Sequence, residues 1–228
     1  MTDLLAVTGV ALAAAALLML LTALLARRLG RVAVVDVAWG LGFVLVAATS
    51  AVVGTLTGRD PVPRWVVLAL VGTWGLRLAW HIRRRAVGHG EDPRYEELLG
   101  GPLAQVGMAV AVRKVFVVQG AAIWFISLPV QLGAVSDVWS WVVVGAGVAV
   151  WVIGVVFETV GDAQLAAYKA DPQRPRVMER GLWRYTRHPN YFGDACVWWG
   201  IWTVGLGGGL VGLTTILSPV VMTYFLVF

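Results

Sequence analysis

The chain has 228 residues, of which 59% are hydrophobic and 14% are charged, and its mean hydropathy is +0.78. A single water-soluble core cannot bury that much apolar surface, so the composition excludes an ordinary soluble domain and indicates an integral membrane protein. The net charge of +5 does not form a basic surface on a soluble domain, because the basic residues cluster in the loops between apolar segments. We therefore expect no nucleic-acid partner.

Seven apolar segments predict an all-α integral membrane protein with seven transmembrane helices in one bundle. The first segment has no basic flank before it and no small-residue cleavage site, which favours a retained helix over a signal peptide. No repeat or flexible linker divides the chain, so we predict a single transmembrane domain over residues 1–228. The predicted helices cover residues 4–26, 32–53, 64–81, 112–131, 138–157, 191–206 and 210–228.

The distribution of basic residues predicts the orientation of this bundle. Nearly all arginines and lysines lie in the connections after the first, third and fifth predicted helices. The positive-inside rule then places the N-terminus outside and the C-terminus in the cytoplasm. The two long polar segments, residues 82–111 and 158–190, would both face the cytoplasm, where we expect a water-soluble cofactor to bind.

One short stretch, residues 181–198 with the sequence GLWRYTRHPNYFGDACVW, concentrates polar and aromatic side chains in an otherwise apolar chain. Pro189 suits the first turn of a helix, where its missing N–H removes no hydrogen bond. Asn190, Asp194 and Trp198 follow at intervals of four residues, which places an amide, a carboxylate and an indole on one face of that helix. This face is the best candidate for chemistry.

Several ionisable residues fall inside or at the edge of predicted membrane helices, where an unpaired charge costs a few kcal/mol. For Asp36 the alternative to a functional role is an interfacial carboxylate paired with Arg28 or Arg31. For Arg77 the alternative is a side chain that extends to the cytoplasmic headgroups. The four residues concerned are Asp36, Arg77, Glu158 and Asp194.

Two carboxylates, Glu158 and Asp162, lie at the predicted C-terminal end of the fifth helix. Acidic groups there oppose the helix dipole, so local stability does not explain them and a partner is expected. Arginines, the amide of a cofactor and ribose hydroxyls all donate hydrogen bonds to carboxylates. The basic residues between Lys169 and Arg187 can bind phosphate groups, and anionic lipid headgroups are the alternative partner for them.

The sequence also excludes several other site classes. With a single cysteine, Cys196, the chain cannot form an internal disulfide or a thiolate metal cluster. The three histidines are far apart in the sequence, so we predict no metal site. No phosphate-binding P-loop, dinucleotide glycine motif or hydrolase serine motif is present.

The stretch from Gly181 to Asp194 resembles the DUF1295 branch of the steroid 5-alpha-reductase superfamily, and the likeness extends through residues 35–43, 74–77 and 91–95 to the end of the chain. The resemblance implies a membrane-embedded NADPH-dependent reductase of a carbon–carbon double bond in a lipid or steroid-like substrate. Its shorter core, Arg-His-Pro-x-Tyr, also occurs in isoprenylcysteine carboxyl methyltransferases. An S-adenosylmethionine-dependent membrane methyltransferase is therefore the alternative enzyme, and a lipid-binding or structural membrane protein is the non-enzymatic one.

The resemblance also implies roles for single residues. The nicotinamide would be bordered by Asn190, Asp194 and Trp198, and the ribose and phosphate groups would be held by Glu158, Asp162, Lys169 and Arg176. The remaining cofactor-binding residues would be Arg77, Arg187, His188 and Tyr191. The implied cofactor is NADPH. The implied partners are a lipid-soluble small molecule and membrane lipids, in a bacterial plasma membrane, and a monomer is compatible with the sequence.

The resemblance implies two catalytic residues, and the sequence matches only one of them. Reductases of this kind polarise an enone carbonyl with a carboxylate in helix two and a tyrosine in helix three. Asp36 matches the carboxylate, whereas Trp74 stands at the place of the tyrosine, and an indole N–H cannot give up a proton. The substrate stays open among sterols, unsaturated fatty acyl chains and polyprenoids. Family chains continue into a polar tail after the seventh helix, so the resemblance also implies a truncated sequence.

Overall fold

The computed structural model describes residues 2–58 and 62–227, and all regular structure within these ranges is helical. The α-helices of the described residues are α1 (Thr2–Leu29), α2 (Val34–Gly54), α3 (Val62–Ala86), α4 (Pro93–Leu99), α5 (Leu103–Val106), α6 (Met108–Ala111), α7 (Val117–Ile126), α8 (Leu128–Gly133), α9 (Trp141–Ala170), α10 (Pro189–Leu206) and α11 (Leu217–Val227). Short 3₁₀ turns cover Thr55–Thr57, Gly181–Arg184 and Leu210–Thr215, and one π-helical turn covers Val112–Phe116.

Six helical stretches of the described chain are long and apolar enough to cross a membrane: Thr2–Leu29, Val34–Thr57, Val62–Ala86, Met108–Ile126, Trp141–Ala170 and Leu210–Val227. Helix α10 is not one of them, because Asn190, Asp194 and its tryptophans lower its mean hydropathy. The all-helical fold class is confirmed, and the long apolar helices are compatible with an integral membrane protein. The count of seven spans and the orientation stay predictions.

The chain divides into two compact units, Met1–Asp137 and Val138–Phe228. The prediction of one transmembrane domain over the whole chain stays a prediction.

In the first unit, helices α2 and α3 approach each other closely at two glycines. A Cβ atom added to Gly40 would lie 2.6 Å from the carbonyl oxygen of Gly75, and one added to Gly75 would lie 2.7 Å from that of Gly40. Small residues let transmembrane helices pack backbone against backbone. One turn further along α2, the fully buried ring of Phe43 packs edge-on against the fully buried Trp74 of α3, with ring centroids 5.6 Å apart.

The fourth predicted helix, residues 112–131, is interrupted in the structure. Helix α7 ends at Ile126, Ser127 leaves the helical conformation, and α8 begins at Leu128. Pro129 explains the break, because it has no N–H to continue the helical hydrogen bonds and its ring collides with the preceding turn. The side chain of Gln131 repairs part of this loss by donating hydrogen bonds to the Trp124 carbonyl, at 2.8 Å, and to the Ser127 hydroxyl, at 3.0 Å.

In the second unit, α9 and α10 form an antiparallel pair joined by glycines. Each helix carries glycines seven residues apart, and seven residues are about two turns, so the glycines of each helix share one face. A Cβ atom on Gly154 would lie 2.6 Å from the Gly193 carbonyl oxygen, and one on Gly147 would lie 2.7 Å from that of Gly200. The two backbones are therefore in contact along the middle of the pair.

Helix α9 also corrects a prediction about Glu158 and Asp162. The sequence pattern placed these carboxylates at the C-terminal end of a helix, but α9 continues to Ala170. The placement is wrong because residues 163–170 are mostly good helix formers, and loss of hydrophobicity does not by itself end a helix. The helix ends just before Pro172 instead. The two carboxylates thus lie within the helix, and the helix dipole gives no argument about their partners.

Candidate functional site

The polar cluster of the first unit is built on the start of helix α2. Glu91 anchors this end, because its carboxylate accepts hydrogen bonds from the backbone N–H groups of Val32 and Ala33, the latter at 2.9 Å. These two N–H groups lie just before the first residue of α2 and have no acceptor within the helix, so the carboxylate stabilises the start of α2. Asp36 follows in the first turn of α2, and its side chain is 24% exposed.

Tyr95, in helix α4, donates its hydroxyl hydrogen to the carboxylate of Asp36. The tyrosine is only 7% exposed. From the other side, the Nε2 amide of Gln119, in helix α7, donates to the Tyr95 hydroxyl oxygen at 3.4 Å. Three elements far apart in the sequence thus form one hydrogen-bonded chain from Gln119 through Tyr95 to Asp36.

Two charged residues at the start of α4, Asp92 and Arg94, complete this cluster. Arg94 forms an ion pair with Asp92, with an Nη2–Oδ2 distance of 2.7 Å, and a longer contact of 3.5 Å with the second carboxylate oxygen of Asp36. The Arg94 side chain is 73% exposed, so this end of the cluster faces solvent. Asp92 also caps α4 by accepting from the Arg94 backbone N–H at 3.0 Å. The ion pair of Asp36 is therefore with Arg94.

The surroundings set the protonation of Tyr95 and Asp92 at the start of α4. Burial raises the pKa of Tyr95 well above its usual range, and the neighbouring Asp36 carboxylate raises it further. The hydrogen bond from Arg94 lowers the pKa of Asp92 below its ordinary value. Tyr95 is consequently a neutral hydroxyl at physiological pH, able to donate a hydrogen bond, and Asp92 is an anion.

Two other predicted residues lie in the first unit. Trp74 is buried in the contact between α2 and α3 described above, and its role as a catalytic residue stays a prediction. Arg77 is half-buried one turn further along α3, and its cofactor role also stays a prediction. The hydroxyl group beside Asp36 belongs to Tyr95. No pattern in the sequence pointed to a role for Tyr95 or Gln119, although Tyr95 ends the Glu91–Tyr95 motif.

The second unit brings the predicted polar residues of α9 and α10 together. Asn190, Asp194 and Trp198 lie in one helix that begins at Pro189, as the spacing predicts. Asp194 and Trp198 are buried, and so are Glu158 and Asp162 on α9. The Asn190 amide donates to the Asp162 carboxylate at 3.4 Å.

Close packing of the two helices holds these carboxylates at the α9–α10 contact. A Cβ atom on Gly193 would lie 2.5 Å from the backbone nitrogen of Glu158, so the glycine leaves the space that this part of α9 occupies. Near Asp162, Gly161 packs against the start of α10 at Pro189. The Trp183 indole N–H donates to the Gly161 carbonyl at 3.0 Å and ties the preceding 3₁₀ turn to α9.

The other predicted cofactor-binding residues of this unit are exposed. The imidazole of His188 stacks on the ring of Tyr191, with centroids 4.9 Å apart and an angle of 12° between the planes.

A cavity of about 290 Å³ opens beside the connection between α9 and α10. Its lining residues include Gln164, Tyr168, Asp171, Met178 and Arg180. The predicted phosphate-binding residues of the same connection are Lys169, Arg176 and Arg187.

Together, the fold and the two polar clusters define an all-helical protein whose long apolar helices are compatible with a membrane location and whose buried ionisable groups lie at helix–helix contacts. The family described as "Protein of unknown function (DUF1295)" matches residues 22–228, and the chain belongs to this family. Comparison with curated proteins and with solved structures found no significant match.

Proposed function

We propose that the protein is a membrane-embedded, NADPH-dependent reductase of a carbon–carbon double bond in a lipid-soluble substrate, related to the steroid 5-alpha-reductase superfamily. The observation that carries the proposal is the hydrogen bond from Tyr95 to Asp36. Reduction of a double bond consumes one proton, so the enzyme needs an acid beside its substrate. Transfer of a methyl group to a carboxylate consumes no proton, so a methyltransferase would not need an acid hydrogen-bonded to a buried phenol.

Asn190 supports the choice of a nicotinamide cofactor. Its Oδ1 atom is buried and has no hydrogen-bond partner among residues 2–58 and 62–227, while its amide nitrogen reaches Asp162. A carbonyl oxygen left in this state accepts a donor such as the carboxamide N–H of nicotinamide. The free acceptor of Asn190 therefore fits the carboxamide group of a nicotinamide. When bound, NADPH supplies two electrons and a hydrogen as hydride.

The remaining polar residues of the second unit fit the other parts of a dinucleotide. Glu158 and Asp162 are acceptors for ribose hydroxyls. The exposed basic residues of the α9–α10 connection are suited to phosphate groups: Lys169, Arg176 and Arg187. We also propose that this connection and the residue 82–111 segment face the cytoplasm, as the positive-inside rule predicts.

Within the first unit, Asp36 is the group that holds and releases the proton. As the protonated acid, it gives its proton to the carbon that does not receive the hydride, and one new C–H bond forms as its O–H bond breaks. Tyr95 keeps the carboxyl group oriented and stabilises the carboxylate that is left. Because the Asp36 side chain is 24% exposed, a proton from solvent can restore the acid.

The deciding experiment measures binding of NADPH and of S-adenosylmethionine to the purified protein in lipid nanodiscs. We expect NADPH to bind and S-adenosylmethionine not to bind. The Asn190→Ala variant should weaken NADPH binding about 10-fold, the equivalent of one hydrogen bond. Thr214→Ala is the matched control, because this exposed hydroxyl of the same unit bonds only its own turn in the described structure.

Activity is then followed as NADPH oxidation with sterol enones, unsaturated fatty acyl esters and polyprenoids. Tight binding of S-adenosylmethionine without affinity for NADPH would replace the reductase proposal with the methyltransferase alternative. If neither cofactor binds, and the three lipids bind but are not converted, the result would favour a lipid-binding protein.

A further inference from the structure

Only one end of the Gln119 side-chain amide forms a hydrogen bond among the described residues. Its Nε2 atom donates to the hydroxyl oxygen of Tyr95 at 3.4 Å. Its Oε1 atom is buried and accepts no hydrogen bond from any residue of the described ranges 2–58 and 62–227. Gln119 lies in the apolar stretch Met108–Ile126, where an unused polar atom is costly. The side chain therefore needs an explanation other than packing.

The number of hydrogens in the hydrogen-bonded chain Gln119–Tyr95–Asp36 explains why an amide lies at this position. A tyrosine hydroxyl carries a single hydrogen, and a glutamine amide presents two hydrogens at one end and none at the other. While Asp36 is a carboxylate, the Tyr95 hydrogen points to Asp36, so the Tyr95 oxygen can only accept from Gln119. This is the arrangement in the structure.

Addition of one proton to Asp36 reverses the chain. Before it gives its proton to a substrate, the carboxylic acid can donate that hydrogen to the Tyr95 oxygen, and the Tyr95 hydrogen is then free to turn toward Gln119. Only the Oε1 atom of the amide can accept that hydrogen. The two ends of a glutamine amide have nearly the same size, so a half-turn of the terminal group exchanges them without repacking the helix.

We propose that Gln119 is a positioning residue whose amide turns over as Asp36 gains or loses its proton, so that Tyr95 always has a partner on its membrane side. The proposal rests on the proposed function for its catalytic consequence and deepens the description of that site. In both states the Tyr95 hydroxyl bonds both Asp36 and Gln119. The charged groups that act on Asp36 are Arg94, Asp92 and Glu91, which all belong to the segment 91–94.

The first test reads Tyr95 directly and does not depend on activity. The protein is labelled with 3-fluorotyrosine in nanodiscs, and the Tyr95 fluorine resonance is assigned with Tyr95→Phe. We expect Gln119→Met, which has a similar length but no amide, to shift this resonance. Gln131→Met is the matched control, because the Gln131 amide bonds Trp124 and Ser127 instead.

A second variant tests the reversal itself. Asp36→Asn imitates the protonated acid, because its amide N–H can donate to the Tyr95 oxygen. We expect the shift that Asp36→Asn causes to change when Gln119→Met is also present, since the amide then cannot turn to accept. If Gln119→Met does not fold, Gln119→Asn withdraws the amide by one methylene and should also shift the resonance.

An unchanged Tyr95 resonance in both Gln119 variants would overturn the proposal. The activity arm is separate: Gln119→Met should lower kcat about 10-fold with KM unchanged, whereas Gln131→Met should not. If the fluorine shifts appear but the parent protein oxidises no NADPH with any lipid, the hydrogen-bond chain stands and the reductase proposal fails. If the parent protein is active but the Tyr95 resonance does not change in the Gln119 variants, the reductase proposal stands and the proposal for Gln119 fails.

Discussion

The hydroxyl of Tyr95 donates a hydrogen bond to the carboxylate of Asp36, although 59 residues separate them in the sequence. The contact forms because Glu91 fastens the loop before α4 to the backbone N–H groups of Val32 and Ala33, just before α2. Tyr95 follows Glu91 by four residues and is carried to the side of Asp36. An acid in the first turn of a helix thereby obtains a buried phenol as its neighbour.

Removal of the Tyr95 hydroxyl should impair catalysis without unfolding the protein. We expect Tyr95→Phe to lower kcat for NADPH-dependent reduction by about 100-fold, the equivalent of a lost hydrogen bond to a charged group. The Tyr185→Phe variant is the control, because Tyr185 is 82% exposed. Steady-state kinetics of both variants check the prediction. Equal kcat values for them would mean that the Tyr95–Asp36 hydrogen bond is structural only.

Loss of the Glu91 carboxylate should destabilise the first unit. Glu91→Ala leaves the Val32 and Ala33 N–H groups without their acceptor, and an unsatisfied buried donor costs about 1–3 kcal/mol. Thermal unfolding in detergent should show a clearly lower midpoint. Glu97→Ala, at an exposed position of α4, should leave the midpoint nearly unchanged. A similar midpoint for both variants would show that water replaces the carboxylate without loss.

The ion pair between Asp92 and Arg94 predicts a dependence of stability on pH. Because Arg94 lowers the pKa of Asp92 in the folded protein, the pair stabilises the fold above the unfolded pKa of about 3.9. That contribution is lost as the pH falls through the lower, folded pKa. Its size is about 1 kcal/mol or less, because the Arg94 side chain is largely exposed.

The measurement for Asp92 compares unfolding midpoints of the parent protein and Asp92→Asn at pH 7 and near pH 3. Asparagine keeps the capping oxygen for α4 and removes only the charge. We expect the parent to be the more stable at pH 7 and the difference to shrink at low pH. A difference that grows on acidification contradicts the assignment.

The α9–α10 contact predicts a sharp contrast between two glycines of the same helix. Gly154→Ala forces a methyl group against the Gly193 carbonyl oxygen and should cost about 1–3 kcal/mol. Gly145→Ala meets no atom within 4 Å and should be neutral or stabilising by up to about 1 kcal/mol, because alanine favours helix. Chemical denaturation in detergent compares them. Equal stabilities would mean that the two helices separate easily.

The sequence predicted those features that depend on local patterns. Long apolar segments predicted the helical class, and Pro189 with the four-residue spacing of Asn190, Asp194 and Trp198 predicted the start and the polar face of α10. The break at Ser127 also has a local cause in Pro129, but the overall apolarity of the segment concealed it. The end of α9 was predicted from polarity, which does not control helix length.

Local patterns in the sequence were thus enough to predict the long apolar helices and which residues share a helical face, since both follow from hydrophobicity and the 3.6-residue period. Only the tertiary structure decided that Tyr95 and Gln119 meet Asp36, because loop anchoring and helix packing bring together residues with no fixed spacing. The same is true of the glycines of α9 and α10: their seven-residue spacing is visible in the chain, but their partners follow from the antiparallel register of two helices whose backbones touch.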